Sequence, residues 1–304
     1  MINIIITSYK EPKATLRAVK TFLKQNIKEN DKITIIDPFP ETEKFLKENL
    51  SKKENKKVNF FLDPGEGKAY ALNILFQEQS TGNKNDIFIL TDGDVYVSEN
   101  TVSEISKAFH DKEIGCITAK PIALNPKENK YHYWSDVAFK GIDKHRKYLS
   151  QNNKFLECSG YLFAIRQGVL FDFPIETSED SIIPYLFWKK GYKIKYLQNV
   201  EVYIKNPDNW HDYIVQKVRN IKAHENLNKI APDMPRTKSL FNEIKKGTFF
   251  AIKQPKTLKD FFWILQLYPA RLYIYLKAFN ELRKKQKYKD GWRENPIDST
   301  KPLD

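Results

Sequence analysis

Cysteine is nearly missing from this 304-residue chain: Cys116 and Cys158 lie far apart, without CxxC spacing and without a neighbouring histidine pair. That excludes a disulfide framework and gives no zinc motif. A reducing compartment, the cytoplasm, fits such usage. Long apolar runs are missing too. The longest charge-free apolar stretch, Phe261 to Ala270, has ten residues, half of the ~20 that a spanning helix needs. The N-terminal MINIIITSYK has no basic leader followed by a long apolar stretch, so no secretory signal is expected. Acidic residues are in deficit, 38 against 51 basic, and the net charge of +13 favours an anionic partner without choosing one.

What is present is a core's worth of apolar residues, 41% of the chain with 13% aromatic, which makes disorder a poor description. The first half alternates short β-branched runs with helical patterns. Ile2 to Ile6 precedes a helix over Thr15 to Gln25; Ile33 to Ile36 precedes Glu41 to Leu50; Val58 to Leu62 precedes Lys68 to Glu78; Ile87 to Leu90 follows. Continuous apolar strands between helices predict an α/β fold with a mainly parallel central sheet covered on both faces. After Asp94 the pattern is mixed, with strands expected at Gly115 to Lys120, Phe155 to Ile165, Tyr192 to Leu197 and Val200 to Ile204. Helices are expected at Ser181 to Lys190 and, basic and aromatic, at Asp208 to Asn228. The proline-containing APDMPRTK at Ala231 to Lys238 divides the chain into a domain of residues 1–235 and a C-terminal helical extension of residues 236–304.

Two carboxylate pairs carry the chemistry. In DIFILTDGDVYV, Asp92 and Asp94 follow the most apolar strand, where open α/β sheets bind their ligands. Carboxylates at i and i+2 suit a hard cation, Mg²⁺ or Mn²⁺, whose shell substrate phosphates complete. The second pair, Glu179 and Asp180, sits at the mouth of an apolar helix. There a carboxylate serves as a cap, or projects into a cleft as a general base. Between the pairs, Ser159 and Gly160 interrupt an apolar run, a mark of a bulge or of close ligand approach. In DPGEGKAYALN, Lys68 opens a helix behind a glycine-flanked turn suited to a phosphate. Leu62 and Ala69 stand where a Walker loop needs glycine and serine or threonine, and no G-x-S-x-G, H-E-x-x-H or complete G-x-G-x-x-G occurs. Kinase, serine hydrolase, zinc protease and dinucleotide oxidoreductase readings lose their support.

Taken in order over about residues 2 to 225, TSYKEP, ITIIDP, EGKAYALN, DGDVYV, CSGYLFAIR, SEDSIIPYLFWKKGYKIKY and QKVRN resemble the pattern of glycosyltransferase family 2. The likeness is to its membrane-associated branch, which includes cellulose and hyaluronan synthases. It implies a GT-A fold, an Asp-x-Asp metal site and an inverting transfer from a nucleotide-sugar donor, expected here to be a UDP-sugar. By that resemblance Thr7, Tyr9 and Glu11 hold the nucleotide, Asp37 lies near its base, and Lys68 is the basic residue of the third loop. Asp92 faces the nucleoside, and Asp94 the metal. Ser159 and Gly160 form the acceptor floor, Glu179 and Asp180 the base motif with Asp180 catalytic, and Gln216 and Arg219 the first and fourth positions of a Q-x-x-R-W helix. Asn220 replaces the tryptophan of that motif, so one or a few transfers are expected rather than a polymer, onto a polysaccharide, glycolipid or lipid-linked acceptor.

Lys259 to Leu282 places aromatic and aliphatic residues at helical spacing, with Pro269 expected to bend or divide it. Basic, aromatic and too short to span, it suits an interfacial helix pair on an anionic membrane, which would make the protein peripheral at the inner face. The GWRENPIDSTK tail has no derivable role. Two rivals stand: a sugar-1-phosphate nucleotidyltransferase, which needs a G-x-G-T-R-like loop where TSYKEP stands, and a basic nucleic-acid-binding protein, which leaves both carboxylate pairs unexplained. No nucleic acid partner is therefore expected.

Overall fold

The computed structural model describes residues 1–124, 129–235 and 247–284, so the GWRENPIDSTK tail lies outside the described residues. The first half is a succession of β1 (Ile2–Thr7), α1 (Pro12–Leu23), β2 (Lys32–Asp37), α2 (Pro40–Asn49), α3 (Lys52–Asn55), β3 (Val58–Leu62), α4 (Lys68–Gln79) and β4 (Ile87–Asp92). All six residues of β1 are buried, because helices cover both faces of the sheet. Side chains alternate across a strand: Ile4 and Ile6 pack with Val19 and Phe22, while Ile5 packs with Leu72 and Leu75 on the other face.

The second half contains β5 (Tyr96–Val97), α5 (Thr101–Ala108), β6 (Ile114–Ala123), α6 (Lys130–Gln151), β7 (Leu162–Arg166), α7 (Glu179–Lys189), β8 (Lys193–Ile204) and α8 (Trp210–Ile230). Beyond them lie α9 (Thr248–Ile252) and α10 (Leu258–Arg283). One eight-stranded sheet has the order β3-β2-β1-β4-β7-β6-β8-β5. β7 is antiparallel to both its neighbours and β5 to β8, while every other pairing is parallel. Six strands therefore run one way, and the fold is α/β with a mixed, mainly parallel sheet.

Several elements differ from expectation. Phe155 to Tyr161 is not strand; only Leu162–Arg166 is. The backbone there is drawn away from the ladder: Cys158 N–H donates to Asp180 O at 3.0 Å, Ser159 N–H to Thr118 Oγ1 at 2.9 Å and Gly160 N–H to Asp180 Oδ2 at 3.0 Å. The two strands expected at Tyr192 to Leu197 and Val200 to Ile204 are one, β8, whose register against β6 shifts between Ala119 and Lys120. Helices α5 and α6 were not expected. Pro269 does not divide the C-terminal segment, which is one helix rather than a pair. Its ring removes a bond to the carbonyl of Leu265, and Leu265 is 47% exposed, so the freed carbonyl sits on the outer side of the helix. The inner side of α10 docks on α8 and α6, with Ala270, Ile274, Tyr275 and Ala278 packed against Trp134, Tyr213, Ile214 and Val218.

Candidate active site

Parallel pairing of β1 with β4 sets Thr7 beside Asp92 at the carboxyl ends of two central strands. Thr7 Oγ1 donates to Asp92 Oδ1 at 3.0 Å. The next residue has no room for a side chain: a Cβ on Gly93 would meet Thr15 Oγ1 at 2.9 Å, Ser8 Cβ at 3.2 Å and Thr7 O at 3.3 Å. This close approach, closed by Gly93 N–H donating to Thr7 O at 2.7 Å, turns the chain so that Asp94 also lines the cleft.

Lys68 reaches the same carboxylate from the start of α4. Its N-cap, Gly67, has φ of 109°, a conformation glycine supplies without steric cost. Lys68 Nζ lies 2.7 Å from Asp92 Oδ1 and 2.7 Å from Glu179 Oε1. Burial alone would favour neutral Lys68, but the two carboxylates outweigh it and hold its pKa above the ordinary lysine value. The bridge joins the two carboxylate pairs, which are remote in sequence.

Glu179 and Asp180 form the first turn of α7, where the helix dipole favours negative charge. Their partners differ. Glu179 is tied to an ammonium group, whereas Asp180 accepts from neutral donors: Gly160 N–H on Oδ2 at 3.0 Å, and the Ser178 hydroxyl on Oδ1. Behind them Ser181 Oγ donates to Glu157 Oε2 at 2.9 Å, and His224 Nε2 lies 3.8 Å from the same oxygen. A Cβ on Gly160 would meet Asp180 Oδ2 at 3.5 Å, an ordinary contact, so the service of Gly160 is its N–H rather than missing bulk.

Thr7, Lys68, Gly160 and both carboxylate pairs line one cleft of about 1570 Å³, which also takes in Tyr9, Glu11, Ser159, Gln216 and Arg219. Asp37 is the expected site residue that does not line it. It is fully buried and accepts from Lys10 N–H at 3.1 Å, Phe39 N–H at 2.8 Å and Thr42 Oγ1 at 3.0 Å. Burial raises its pKa, offset in part by these bonds and by Ser8. Its carboxylate pins the loop that carries Tyr9 and Glu11.

Tyr161, Glu157 and His224 line the cleft as well and were not singled out from the sequence. Burial, with Asp94 and Asp92 nearby, pushes the Tyr161 hydroxyl well above the usual tyrosine pKa. A signal existed for Glu157, a lone charge in the apolar run FLECSGYLF.

The donor set suits a shared cation better than an all-protein cage. No group of three or more His, Cys, Asp and Glu gathers to hold a metal among the described residues. Asp92 and Asp94 supply two carboxylates to the cleft, the number with which Mg²⁺ is usually held when phosphates complete its shell.

Residues 3–172, more than half of the chain, match the model of glycosyl transferase family 2. No curated protein matches the chain by sequence. Among solved structures, the mannosyltransferase PcManGT from Pyrobaculum calidifontis, in complex with GDP-Man and Mn²⁺, is similar with a TM-score of 0.60 at 16% identity, covering 93% of this chain and 81% of that one. GalNAc-T7 with UDP, GalNAc and Mn²⁺ has a TM-score of 0.47 at 18% identity, covering 67% and 42%. TarS of S. aureus has 0.48 at 14%, covering 85% and 46%. The PcManGT likeness is one of fold, and with the family match over the segments that carry Thr7, Asp92 and Asp94 it leads to one conclusion: the chain belongs to glycosyl transferase family 2 and is a glycosyltransferase.

Proposed function

We propose that the chain transfers a sugar, with inversion, from a nucleotide-diphosphate sugar to an acceptor hydroxyl. Asp180 is the base. The observation that carries this assignment is the contrast between two adjacent carboxylates in one cleft: Glu179 lies 2.7 Å from the Lys68 ammonium, while Asp180 is held by neutral donors. Glu179 is committed to the Lys68 ion pair, whereas the hydrogen bonds from Gly160 and Ser178 fix the orientation of Asp180, and a positioned carboxylate is what general-base catalysis needs.

In the proposed step the acceptor O–H gives its proton to Asp180 as its oxygen bonds to the anomeric carbon. The bond from that carbon to the diphosphate oxygen breaks, and the nucleoside diphosphate leaves with the electron pair. Lys68 and Arg219 supply positive charge beside the leaving diphosphate, and stabilising charge that develops in the transition state is usually the largest electrostatic contribution. Asp94, with Asp92, would hold a divalent cation, Mg²⁺ or Mn²⁺, which when bound neutralises diphosphate charge. Thr7, Tyr9 and Glu11 line the nucleotide side, and Asp37 is a positioning residue for their loop. Ser159, Gly160, Glu179 and Gln216 form the acceptor side.

The donor is read as a UDP-sugar, and the acceptor as a glycan, glycolipid or lipid-linked molecule met at an anionic membrane surface. No helix among the described residues is long and apolar enough to cross a membrane, so that meeting is read as peripheral, through α10, on the cytoplasmic side. The catalytic unit is read as residues 1–235. The test is to incubate the protein with UDP- and GDP-sugars and Mn²⁺ or Mg²⁺, follow nucleoside diphosphate release, and determine the anomeric configuration of the product by NMR. Release from a UDP-sugar with an inverted product is expected. A retained configuration overturns the single-displacement reading, and release from GDP-sugars alone overturns the choice of a uridine nucleotide.

A further inference from the structure

The cleft is larger than the chemistry at its charged end requires. Its volume of about 1570 Å³ exceeds the roughly 300–1,000 Å³ of pockets that hold small ligands. The cleft extends along α6, where Trp134, Val137, Gly141, Ile142, His145 and Tyr148 line one wall. These positions share a helix face, and at about 1.5 Å of rise per residue the wall is about 21 Å long.

The two ends of the wall differ. Its C-terminal end is tied to the reaction centre: Arg146 Nη2 donates to Cys158 O at 2.7 Å, and Cys158 N–H donates to Asp180 O at 3.0 Å. Its N-terminal end meets the C-terminal helices, where Trp134 Nε1 donates to Trp263 O at 2.7 Å and a Cβ on Gly141 would lie 3.4 Å from the Phe250 ring. Ala251, Leu267, Tyr268 and Leu272 complete this part. No carboxylate from α6, α9 or α10 lines the cleft, whereas Lys144 and Arg271 do. Two polar tips there are engaged within the protein, Trp134 as above and Tyr268 OH donating to Thr248 O at 3.4 Å. Beside the basic Lys144 and Arg271, the side chains of Val137, Ile142, Ala251, Leu267 and Leu272 offer apolar surface that a hydrocarbon covers without needing hydrogen bonds. Leu272 lines the cleft and is 56% exposed, so the groove opens at α10.

We propose that this groove seats the hydrocarbon chain of an amphiphilic acceptor, with the head at Asp180 and the tail leaving past Leu272. The proposal rests on the reading of Asp180 as the acceptor-side base. Continuity decides the occupant: whatever fills a groove that begins at the transfer site must be joined to the group that receives the sugar. The lining residues of α6, α9 and α10, which include Lys144 and Arg271 and no acid, also suit a molecule drawn from an anionic lipid surface.

The test is a titration of n-hexyl, n-octyl and n-decyl β-glucoside, each below its micelle concentration, by isothermal calorimetry. Affinity should rise about fourfold for each methylene buried. Gly141→Leu, which narrows the groove against Phe250, should abolish that rise while UDP binding stays unchanged, which also reports that the variant is folded. Leu272→Gln, at an exposed position, should weaken the decyl compound and spare the hexyl one. Affinity independent of chain length in the native protein overturns the proposal. So does a Gly141→Leu protein that binds UDP and keeps the full rise, because the chain then sits elsewhere. These are binding measurements, so a failure of Asp180 as base, seen as undiminished turnover in Asp180→Asn, leaves the chain-length result standing.

Discussion

Asp180 and Glu179 are neighbours with different partners, and that difference makes their substitutions distinguishable. Asp180→Asn keeps size and most hydrogen bonding but removes the proton acceptor, so turnover should fall at least ~10²-fold, about 2.7 kcal/mol of transition-state stabilisation. Donor affinity should change little. Glu179→Gln should lose less turnover, and single-turnover kinetics that find it dead while Asp180→Asn stays active would move the base by one residue. Lys68 offers a second test through pH. Its folded-state pKa lies above the unfolded value of 10.5, so its contribution to stability is complete below 10.5 and is lost as pH rises toward the folded value. Denaturant unfolding should therefore give a stability difference between native protein and Lys68→Met that is constant from about pH 6 to 9 and shrinks above the unfolded pKa. A difference that varies across the neutral range would show that Lys68 is not the group responsible. Both carboxylate pairs were legible in the sequence because each sits at the junction of an apolar run and a polar turn. The bridge between them was not, because Lys68 meets Glu179 only through tertiary packing.

At the scale of the element, α10 is apolar on two faces. Leu258, Phe262, Leu265, Leu272 and Leu276 are exposed, and at about 100° per residue they fall within about 60° of one line along the helix. Ile264, Ala270, Ile274 and Ala278 are buried on the opposite side. An exposed stripe of this kind marks an interaction surface, and Lys259 and Lys277 flank it. Deleting the helix would be a poor test, since its inner face covers Trp134, Tyr213 and Val218. Phe262→Glu and Leu276→Glu touch only the outer face. Each should reduce sedimentation with vesicles containing anionic lipid by about tenfold or more, since a fully buried side chain of this size is worth ~1.5–3 kcal/mol. Unchanged sedimentation at both low and high salt would remove the membrane from the reading. The outer apolar spacing was readable from the sequence, but the division expected as one outcome at Pro269 did not follow, because the bond its ring removes falls on the exposed side. Helix α6 was unreadable for a related reason. Its buried positions include Ser135, Arg146 and Ser150, and it contains Gly141, so no clean apolar stripe announces the helix that forms one wall of the cleft.

At the scale of the whole molecule, the cleft is assembled from both halves of the sheet with α4, α6, α7, α8, α9 and α10, and its charged end is a set of like charges that the fold must hold together. Asp92, Asp94, Glu179 and Asp180 all line it, and among the described residues Lys68 is the cation that bridges two of them. A bound divalent cation would offset the charge of both the carboxylates and a nucleoside diphosphate, so binding of the cation and the nucleotide should be mutually reinforcing. A ligand at 100 times its dissociation constant stabilises by ~2.7 kcal/mol. With an unfolding entropy of about 2.1 cal/mol/K per residue, that corresponds to a rise in Tm of about 4 °C for a chain of this length. We therefore expect UDP with Mn²⁺ to raise Tm by about that amount, and either alone, or both after EDTA, to raise it by much less. Asp94→Ala should abolish the Mn²⁺-dependent part and leave the ligand-free Tm close to native, because Asp94 lines the cleft half-buried and is not part of the core. Asp92→Ala should also lower the ligand-free Tm, since it breaks the contacts to Thr7 and Lys68. Equal stabilisation by UDP with and without metal in the native protein would exclude a shared cation and leave Lys68 and Arg219 as the groups that receive the diphosphate.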